Sequence, residues 1–352
     1  MVFSRRSFLA GLASTATISQ GLFARSVSDG PRDERIFPKP LAAGQTVALI
    51  APASNASENE DIRYAADILH SFGFQVRMGK NLFERWGYLA GTDAQRAADV
   101  NAAFADPEVD AIIALRGGYG TMRILPHIDY KLIKSNPKVL LGYSDLTALL
   151  NAIHRKTGLV TFHGPIAKQE YSDYTLAEFK KVMFNPEVPT PLGSPPAFTP
   201  REGHAERNNR LLRIHSGKAR GRLVGGNLSL LARTAGTPYE AHYKNKILFM
   251  EEIGEEPYRI DSMLSQLWLA GRFQECAGIV FGKCSDCDAE GPNSLTLETL
   301  LRDRLGYLGI PVLSGLMFGH ISDQTTLPIG CEAELDVEAG TLTLLEAGVR
   351  NS

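Results

Sequence analysis

The chain has 352 residues, a formal net charge of −2 and 44% hydrophobic residues. That is enough for two domains with sizeable cores, and the composition is that of an ordinary globular protein. There is no long basic or acidic block, so nothing supports a nucleic-acid partner or adhesion to a membrane surface.

Ser4-Arg5-Arg6-Ser7-Phe8-Leu9 opens the chain, and a mild apolar run continues to Phe23. A charged start before a short apolar stretch is the pattern of a signal peptide, and the paired arginines point to the twin-arginine route. Gly11, Ser14, Thr15, Thr17, Ser19, Gln20 and Gly21 interrupt the run, which makes it a poor stable membrane anchor. Residues 1–30 are set aside as an export signal, and a periplasmic location is expected. The competing reading is a basic N-terminal tail without an address.

Val47-Ala48-Leu49-Ile50 reads as a first strand, and Ser57 with Glu60 forms a capping box before a helix around Ile62 to Phe72. Gln75 to Met78 is a second strand. Thr92 with Gln95 is a second capping box, opening a helix through about Ala105. Asp110 to Leu115 is a third strand and ends in Arg116-Gly117-Gly118-Tyr119-Gly120. Val139 to Leu141 is a buried strand that turns at Gly142 into the helix-like stretch Leu146 to Ile153, with Ser144 at the junction. Strands alternating with helices at this spacing predict a parallel sheet covered on both faces. Ligands of such sheets lie outside the carboxyl ends of the strands, where Gly117, Gly118 and Ser144 fall.

Asn185 to Glu202 carries six prolines (Pro186, Pro189, Pro191, Pro195, Pro196 and Pro200) and no apolar period. It is expected to be a linker over 185–205, between domains at 38–184 and 206–350. In the second half, Gly221 to Val224 leads through Gly225-Gly226-Asn227 into a helix from Leu228 to Ala235. Ile247-Leu248-Phe249-Met250 is a strand ending in Glu251-Glu252, and Pro257 opens a helix. Gly278 to Phe281, a helix from Leu295 to Leu305, and Pro311 to Leu313 follow. Ala333 to Leu345 closes the chain as a hairpin about Ala339-Gly340.

Ser144 on a strand-to-helix turn has two readings. It either caps the helix or exposes its hydroxyl as a nucleophile beside free backbone N–H groups. Glu251 surfaces from a buried strand, and a carboxylate there is either functional or paired with Arg259 as structural glue. His320 lies in a loop of small and polar residues, as a hydrogen-bonded loop histidine or as a base. Together Ser144, Glu251 and His320 supply the three residue types of an acyl-transfer triad: a hydroxyl, an imidazole to take its proton, and a carboxylate to orient the imidazole. Gly117 and Gly118 suit an oxyanion loop, because glycines let backbone N–H groups approach a substrate. The alternative for that loop, phosphate binding, lacks the full nucleotide-binding patterns. His154, His163, His204, His215 and His242 show no paired metal spacing. Cys284-x-x-Cys287 is half of a zinc-ribbon pattern, and Cys276 and Cys331 do not complete it. Neither a metal site nor a cofactor is expected. In an exported chain a disulfide among these cysteines is open.

In this order the motifs resemble the LD-carboxypeptidase family of serine peptidases, family S66, from about Gln45 to Leu345. The resemblance is carried by Leu115-Arg116-Gly117-Gly118-Tyr119-Gly120, Gly142-Tyr143-Ser144-Asp145-Leu146-Thr147 and Phe162-His163-Gly164-Pro165. It continues through Gly225-Gly226-Asn227-Leu228, the strand ending in Glu251-Glu252, Pro257 to Asp261, Phe318-Gly319-His320, and Leu327 to Gly330. It implies Ser144 as nucleophile, Glu251 as orienting carboxylate and His320 as base, with the backbone N–H groups of Gly118 and Asp145 as the oxyanion hole. Gly117 would face the substrate, and because a carboxypeptidase must recognise a free carboxylate, Arg116 beside the glycine loop is a candidate partner for it, the alternative being a lone surface arginine. The family usually has Glu-Asp where this chain has Glu251-Glu252; the first acid matches. The implied fold is α/β, a flavodoxin-like parallel-sheet N-terminal domain plus a smaller α/β C-terminal domain, with the active site between them in a homodimer. The implied reaction is hydrolysis of the amide between an L-centre and a terminal D-amino acid, releasing D-Ala from a murein tetrapeptide. Two alternatives stand beside it. One is an immunity-type peptidase that cleaves a peptide-nucleotide antibiotic, and the other is a periplasmic binding protein without catalysis.

Overall fold

Apolar runs too short for buried helices form the centre of the first sheet in the computed structural model, which describes residues 34–289 and 291–351. The expected export signal at 1–30 lies outside the described residues. Strand β1 (Thr46–Ile50) leads to helix α1 (Asn59–Ser71), then β2 (Gln75–Met78), α2 (Asp93–Ala105) and β3 (Ala111–Ala114). A short helix α3 (Thr121–Ile124), a 3-10 turn and α4 (Tyr130–Ser135) precede β4 (Val139–Gly142), α5 (Leu146–Thr157) and β5 (Thr161–His163). Strands β3, β4 and β5 are buried at every residue, as a parallel sheet covered on both faces requires. The strands run parallel in the order β5-β4-β3-β1-β2, which is the flavodoxin-like order. The loops after β1, β2, β3 and β4 therefore gather along one edge of the sheet.

The chain continues through α6 (Asp173–Met183), β6 (Thr190–Leu192), β7 (Leu212–His215), β8 (Lys218–Asn227) and α7 (Leu228–Thr234). Then come β9 (Lys246–Ile253), α8 (Pro257–Leu269), α9 (Arg272–Glu275), β10 (Gly278–Ser285), α10 (Leu297–Leu305) and β11 (Val312–Ser314). Strands β12 (Leu327–Ile329), β13 (Glu332–Asp336) and β14 (Thr341–Leu344) end it, the last two as the expected hairpin. The second sheet has the order β6-β14-β13-β8-β9-β10-β11-β7. Its centre, β8 to β11, is parallel, and antiparallel strands flank it on both sides.

Two connections tie the sheets together. β12 pairs antiparallel with β5, so a strand from late in the chain forms the edge of the first sheet. The loop between β11 and β12, which carries His320, thus spans from one sheet to the other. The turn after β8 is fastened to α5: the Asn227 N–H donates to Thr147 Oγ1 at 2.9 Å, and Asn151 donates to the Gly225 carbonyl at 2.9 Å.

Two local expectations change. The first capping box lies one residue later than expected, with Glu58 at the N-cap and Asp61 accepting its N–H at 3.3 Å. Ser57 and Glu60 have the right spacing, but the chain enters the helix at Glu58, in extended backbone. The proline-rich stretch is not featureless, since Thr190–Leu192 forms the edge strand β6 against β14. An edge tolerates Pro191, whose missing N–H has no ladder partner to satisfy there.

Candidate active site

Only Tyr143, Ser144 and Asp145 separate the end of β4 from the start of α5. The reversal is tight, and Ser144 sits at φ 63, in the left-handed region that a residue with a Cβ enters at a cost of about 1–3 kcal/mol. The helix-cap reading of Ser144 does not hold. Asp145 occupies the N-cap position, and Ser144 Oγ makes no hydrogen bond among the described residues. The strained turn leaves the hydroxyl free above the end of the sheet.

The glycine loop is locked onto this turn. The buried Asp145 carboxylate accepts the Thr121 N–H at 2.7 Å, and the Thr121 hydroxyl donates to the Asp145 carbonyl. Burial pushes the Asp145 carboxyl above the usual range. Thr121 directly follows Gly120, so both bonds hold the loop in place. The buried guanidinium of Arg96 adds donations to the Pro52 carbonyl at 2.7 Å and to the Gly120 carbonyl at 2.9 Å. Gly117 lies against the serine: a Cβ there would stand 2.8 Å from Ser144 Cβ and 3.0 Å from Oγ. The N–H groups of Gly118 and Asp145 donate to nothing among the described residues. Arg116 donates to the Asn55 carbonyl at 3.2 Å, and no carboxylate pairs with it among the described residues.

The second sheet brings the other two residues together. Glu251 is fully buried at the end of β9, and its Oε2 lies 2.7 Å from His320 Nδ1. A proton on Nδ1 donated to Glu251 leaves Nε2 as the basic nitrogen. Ser285, at the end of β10, donates to the His320 carbonyl at 2.6 Å. Gly319, at φ 120, lets the loop approach: a Cβ there would lie 3.0 Å from Glu251 Cβ and 2.9 Å from the Lys283 carbonyl. The His320 ring packs on Tyr143, with ring centroids 4.8 Å apart. Tyr143 immediately precedes Ser144, so this contact joins the serine turn to the glutamate–histidine pair.

Strand alternation separates the two adjacent acids. Glu252 accepts from Asn227 Nδ2 at 2.9 Å, from the Ser229 N–H at 2.8 Å and from its neighbour Ile253 N–H at 3.0 Å. It holds the start of α7, and burial raises its pKa. Neither acid pairs with Arg259, which instead faces Glu255 at 3.6 Å.

Two neighbours carried no catalytic expectation. Tyr143 is largely buried, and burial together with nearby Glu251 pushes its hydroxyl up to about 12. His163, at the end of β5, is fully buried, with its ring 5.4 Å from Phe249 and 6.0 Å from Tyr143. Both its nitrogens, and Glu251 Oε1, lack a hydrogen-bond partner among the described residues. Burial holds the His163 pKa down to about 4, against an opposing pull from Glu251. The only sequence signal for His163 was its place in the motif Phe162 to Pro165.

A strained serine turn at the edge of a parallel sheet of flavodoxin-like order thus meets, through Tyr143, a glutamate–histidine pair held by β9 and the loop after β11. Residues 47–164 match the LD-carboxypeptidase N-terminal domain, and residues 220–335 match the LD-carboxypeptidase C-terminal domain. The chain is 42% identical over 318 residues to a probable murein peptide carboxypeptidase of Bacillus subtilis, covering 89% of this chain and 95% of that one. Among solved structures, the wild-type apo form of the microcin C7 self-immunity protein MccF superposes with a TM-score of 0.79 at 27% identity, over 90% of this chain and 100% of that one. The muramoyltetrapeptide carboxypeptidase of Oxalobacter formigenes gives 0.72 at 32% identity, over 85% and 98%. The chain belongs to the LD-carboxypeptidase family, and it is a peptidase of carboxypeptidase type.

Proposed function

We propose that the protein is a serine LD-carboxypeptidase that releases D-Ala from murein tetrapeptides. Ser144 Oγ attacks the carbonyl carbon of the terminal amide while His320 Nε2 takes its proton. Glu251 holds the Nδ1 proton and stabilises the imidazolium. The N–H groups of Gly118 and Asp145 receive the oxyanion. His320 returns the proton to the leaving amine, and D-Ala departs. Water, deprotonated by the same imidazole, then hydrolyses the acyl-enzyme and frees Ser144. Arg116, whose charge no carboxylate meets among the described residues, pairs with the terminal carboxylate of the substrate.

The observation that carries this reading is the meeting of the strained Ser144 turn with the Glu251–His320 pair through Tyr143. The substrate rests on the relatives named for murein peptides. The paired arginines at Arg5 and Arg6 support export to the compartment where murein lies. The likeness to MccF favours a second reading, a peptide-nucleotide antibiotic as substrate of the same triad. Mass spectrometry of the protein with a murein tetrapeptide, beside Ser144→Ala, decides between them. Loss of one D-Ala by the wild type alone is expected. Cleavage of an aminoacyl sulfamoyl adenylate but not of the tetrapeptide would overturn the proposal in favour of the second reading.

A further inference from the structure

The loop between β2 and α2 exposes large aromatic rings. Trp86 is 54% exposed and Tyr88 63%, and across from them Tyr119 of the glycine loop is 44% exposed. The Tyr88 and Tyr119 rings meet edge to face, with centroids 5.6 Å apart. Rings of this size facing water side by side are uncommon on a monomer and mark a place of contact.

The loop is not loosely hung. Asn55 Nδ2 donates to the Gly87 carbonyl at 3.0 Å, and Arg116 donates to the Asn55 carbonyl at 3.2 Å. The Tyr119 N–H donates to Ser54 Oγ at 3.1 Å, while Ser54 forms an isolated bridge with Leu89. The aromatic loop is thus fastened to the same glycine loop that lies against Ser144. Tyr119 directly follows Gly118 of the proposed oxyanion hole, at the edge where ligands of a parallel sheet bind.

The charges on the patch narrow the choice of ligand. The Arg123 guanidinium lies over the Trp86 ring at 5.4 Å, but Asp93 grips it with contacts of 2.9 to 3.1 Å. Arg85 is engaged by the Ser57 carbonyl at 3.0 Å and by Asn59 at 3.3 Å. Arg85 and Arg123 are thus occupied, and Arg116, tied to the same loop through Asn55, is taken by the substrate's terminal carboxylate in the reading above, so the patch suits a neutral ring better than a phosphate-bearing one. A pyranose fits: its axial C–H face packs on an aromatic ring, and its hydroxyl and amide edges reach water and the tyrosine hydroxyls. Murein peptides carry such a ring at the end opposite their D-terminus. Gly117 and Tyr119 are two residues apart, a backbone span of at most about 7 Å, and Tyr88 touches Tyr119, while three extended residues of a stem span roughly 10 Å.

We propose that Trp86, Tyr88 and Tyr119 form a sugar-binding platform that takes the amino sugar of a glycan-bearing muropeptide whose D-terminus lies at Ser144. This rests on the murein reading above and makes glycan-linked stems, rather than free stems, the preferred substrate.

The test compares kcat/KM for N-acetylmuramyl tetrapeptide and for the free tetrapeptide, using wild type, Trp86→Ala, Tyr88→Ala and, as a control on a different element, just after α10, the exposed-tyrosine variant Tyr307→Ser. Wild type and control should prefer the glycan-linked substrate by about tenfold, mainly in KM, and the ratio should collapse toward one in the two platform variants. An unchanged ratio in those variants would overturn the platform, as would a shift in oligomeric state by light scattering that makes the patch a contact between copies. Binding is read separately from cleavage in a Ser144→Ala, Trp268→Phe protein, which keeps Trp86 as its one tryptophan. Quenching of Trp86 by the muramyl peptide but not by the free peptide supports the platform even if no D-Ala is released. Stronger quenching by adenosine than by the muramyl peptide assigns the patch to a nucleobase and overturns the proposal.

Discussion

At the end of β4 the serine turn is shaped by its backbone, with a left-handed Ser144 and a glycine where a Cβ would strike it. Its side-chain bonds, from Asp145 to the Thr121 N–H and from Thr121 to the Asp145 carbonyl, fasten it to the glycine loop through main-chain groups rather than to another charge. At the end of β9 the glutamate and histidine are held by side-chain bonds in a buried, charged environment. The first region is sensitive to volume and to backbone conformation. The second is sensitive to charge and hydrogen-bonding capacity. A substitution that changes one property should therefore damage one region and spare the other, so each prediction below attacks a single property.

The largest effect is expected from Ser144→Ala. It removes the hydroxyl and leaves the turn in place, so kcat for D-Ala release should fall on the order of 10^5-fold while the melting temperature stays within a few degrees. A variant that retained a tenth of the activity would end the nucleophile assignment. Next, the adjacent acids should separate cleanly. Glu251→Gln keeps the volume but loses the charge facing His320, and kcat should drop about 10^4-fold. Glu252→Gln should keep kcat within about tenfold and instead lose roughly 1–3 kcal/mol of stability, because an amide cannot accept from both Asn227 and the Ser229 N–H. Paired kinetics and urea unfolding check this. Equal losses of activity in both variants would erase the distinction between the two acids.

Much of this was legible in the sequence, and the reasons are physical. Runs such as Ala111–Ala114 and Val139–Gly142 are short, apolar and bounded by turn residues, which identifies buried strands. Glu251 is set apart from Glu252 only by the resemblance, whose first acid matches; the different partners of the two acids depend on tertiary contacts. Other features have no local signal. β12 is three residues long and exists only because β5 offers an edge. Thr190–Leu192 looks like linker because its prolines hide a strand that only an edge tolerates. Ser144 has the sequence of a cap, and its positive φ arises from joining a buried strand to a buried helix in three residues. His163 reads as one of several unpaired histidines. Its role as a buried neighbour of Tyr143 and Phe249 appears only when β5 lies beside β4 and the second sheet closes over it.

A methyl group at Gly117 tests the backbone side of the comparison. Gly117→Ala would place a Cβ within 3.0 Å of Ser144, too close for either residue to keep its position. A displacement of a few tenths of an ångström up to one ångström at the nucleophile should cost about 10²-fold in kcat, with KM little changed. If KM rose and kcat held, Gly117 would belong to substrate binding rather than to the geometry of the serine.

The smallest expected effect, and the one that sharpens the electrostatic side, concerns His163. In the folded chain burial holds its pKa to about 4, whereas in the unfolded chain it titrates near 6.5. Between those values the unfolded state binds a proton that the folded state refuses. Its contribution to stability is therefore complete above pH 6.5 and is lost as the pH falls through that window, by about 2 kcal/mol between pH 6.5 and pH 5. His163→Leu removes the titrating group but keeps an apolar side chain against Phe249 and Tyr143. Urea unfolding at pH 7 and pH 5 should then show a smaller acid-induced loss in the variant than in the wild type, by roughly that amount. His154, half-buried and likewise held down to about 4, continues to contribute its own loss in both proteins, so the difference between the two isolates His163. Identical losses would mean that the imidazole takes up its proton in the folded state. It would then stand as a second cation beside Glu251, in competition with His320 for the same carboxylate.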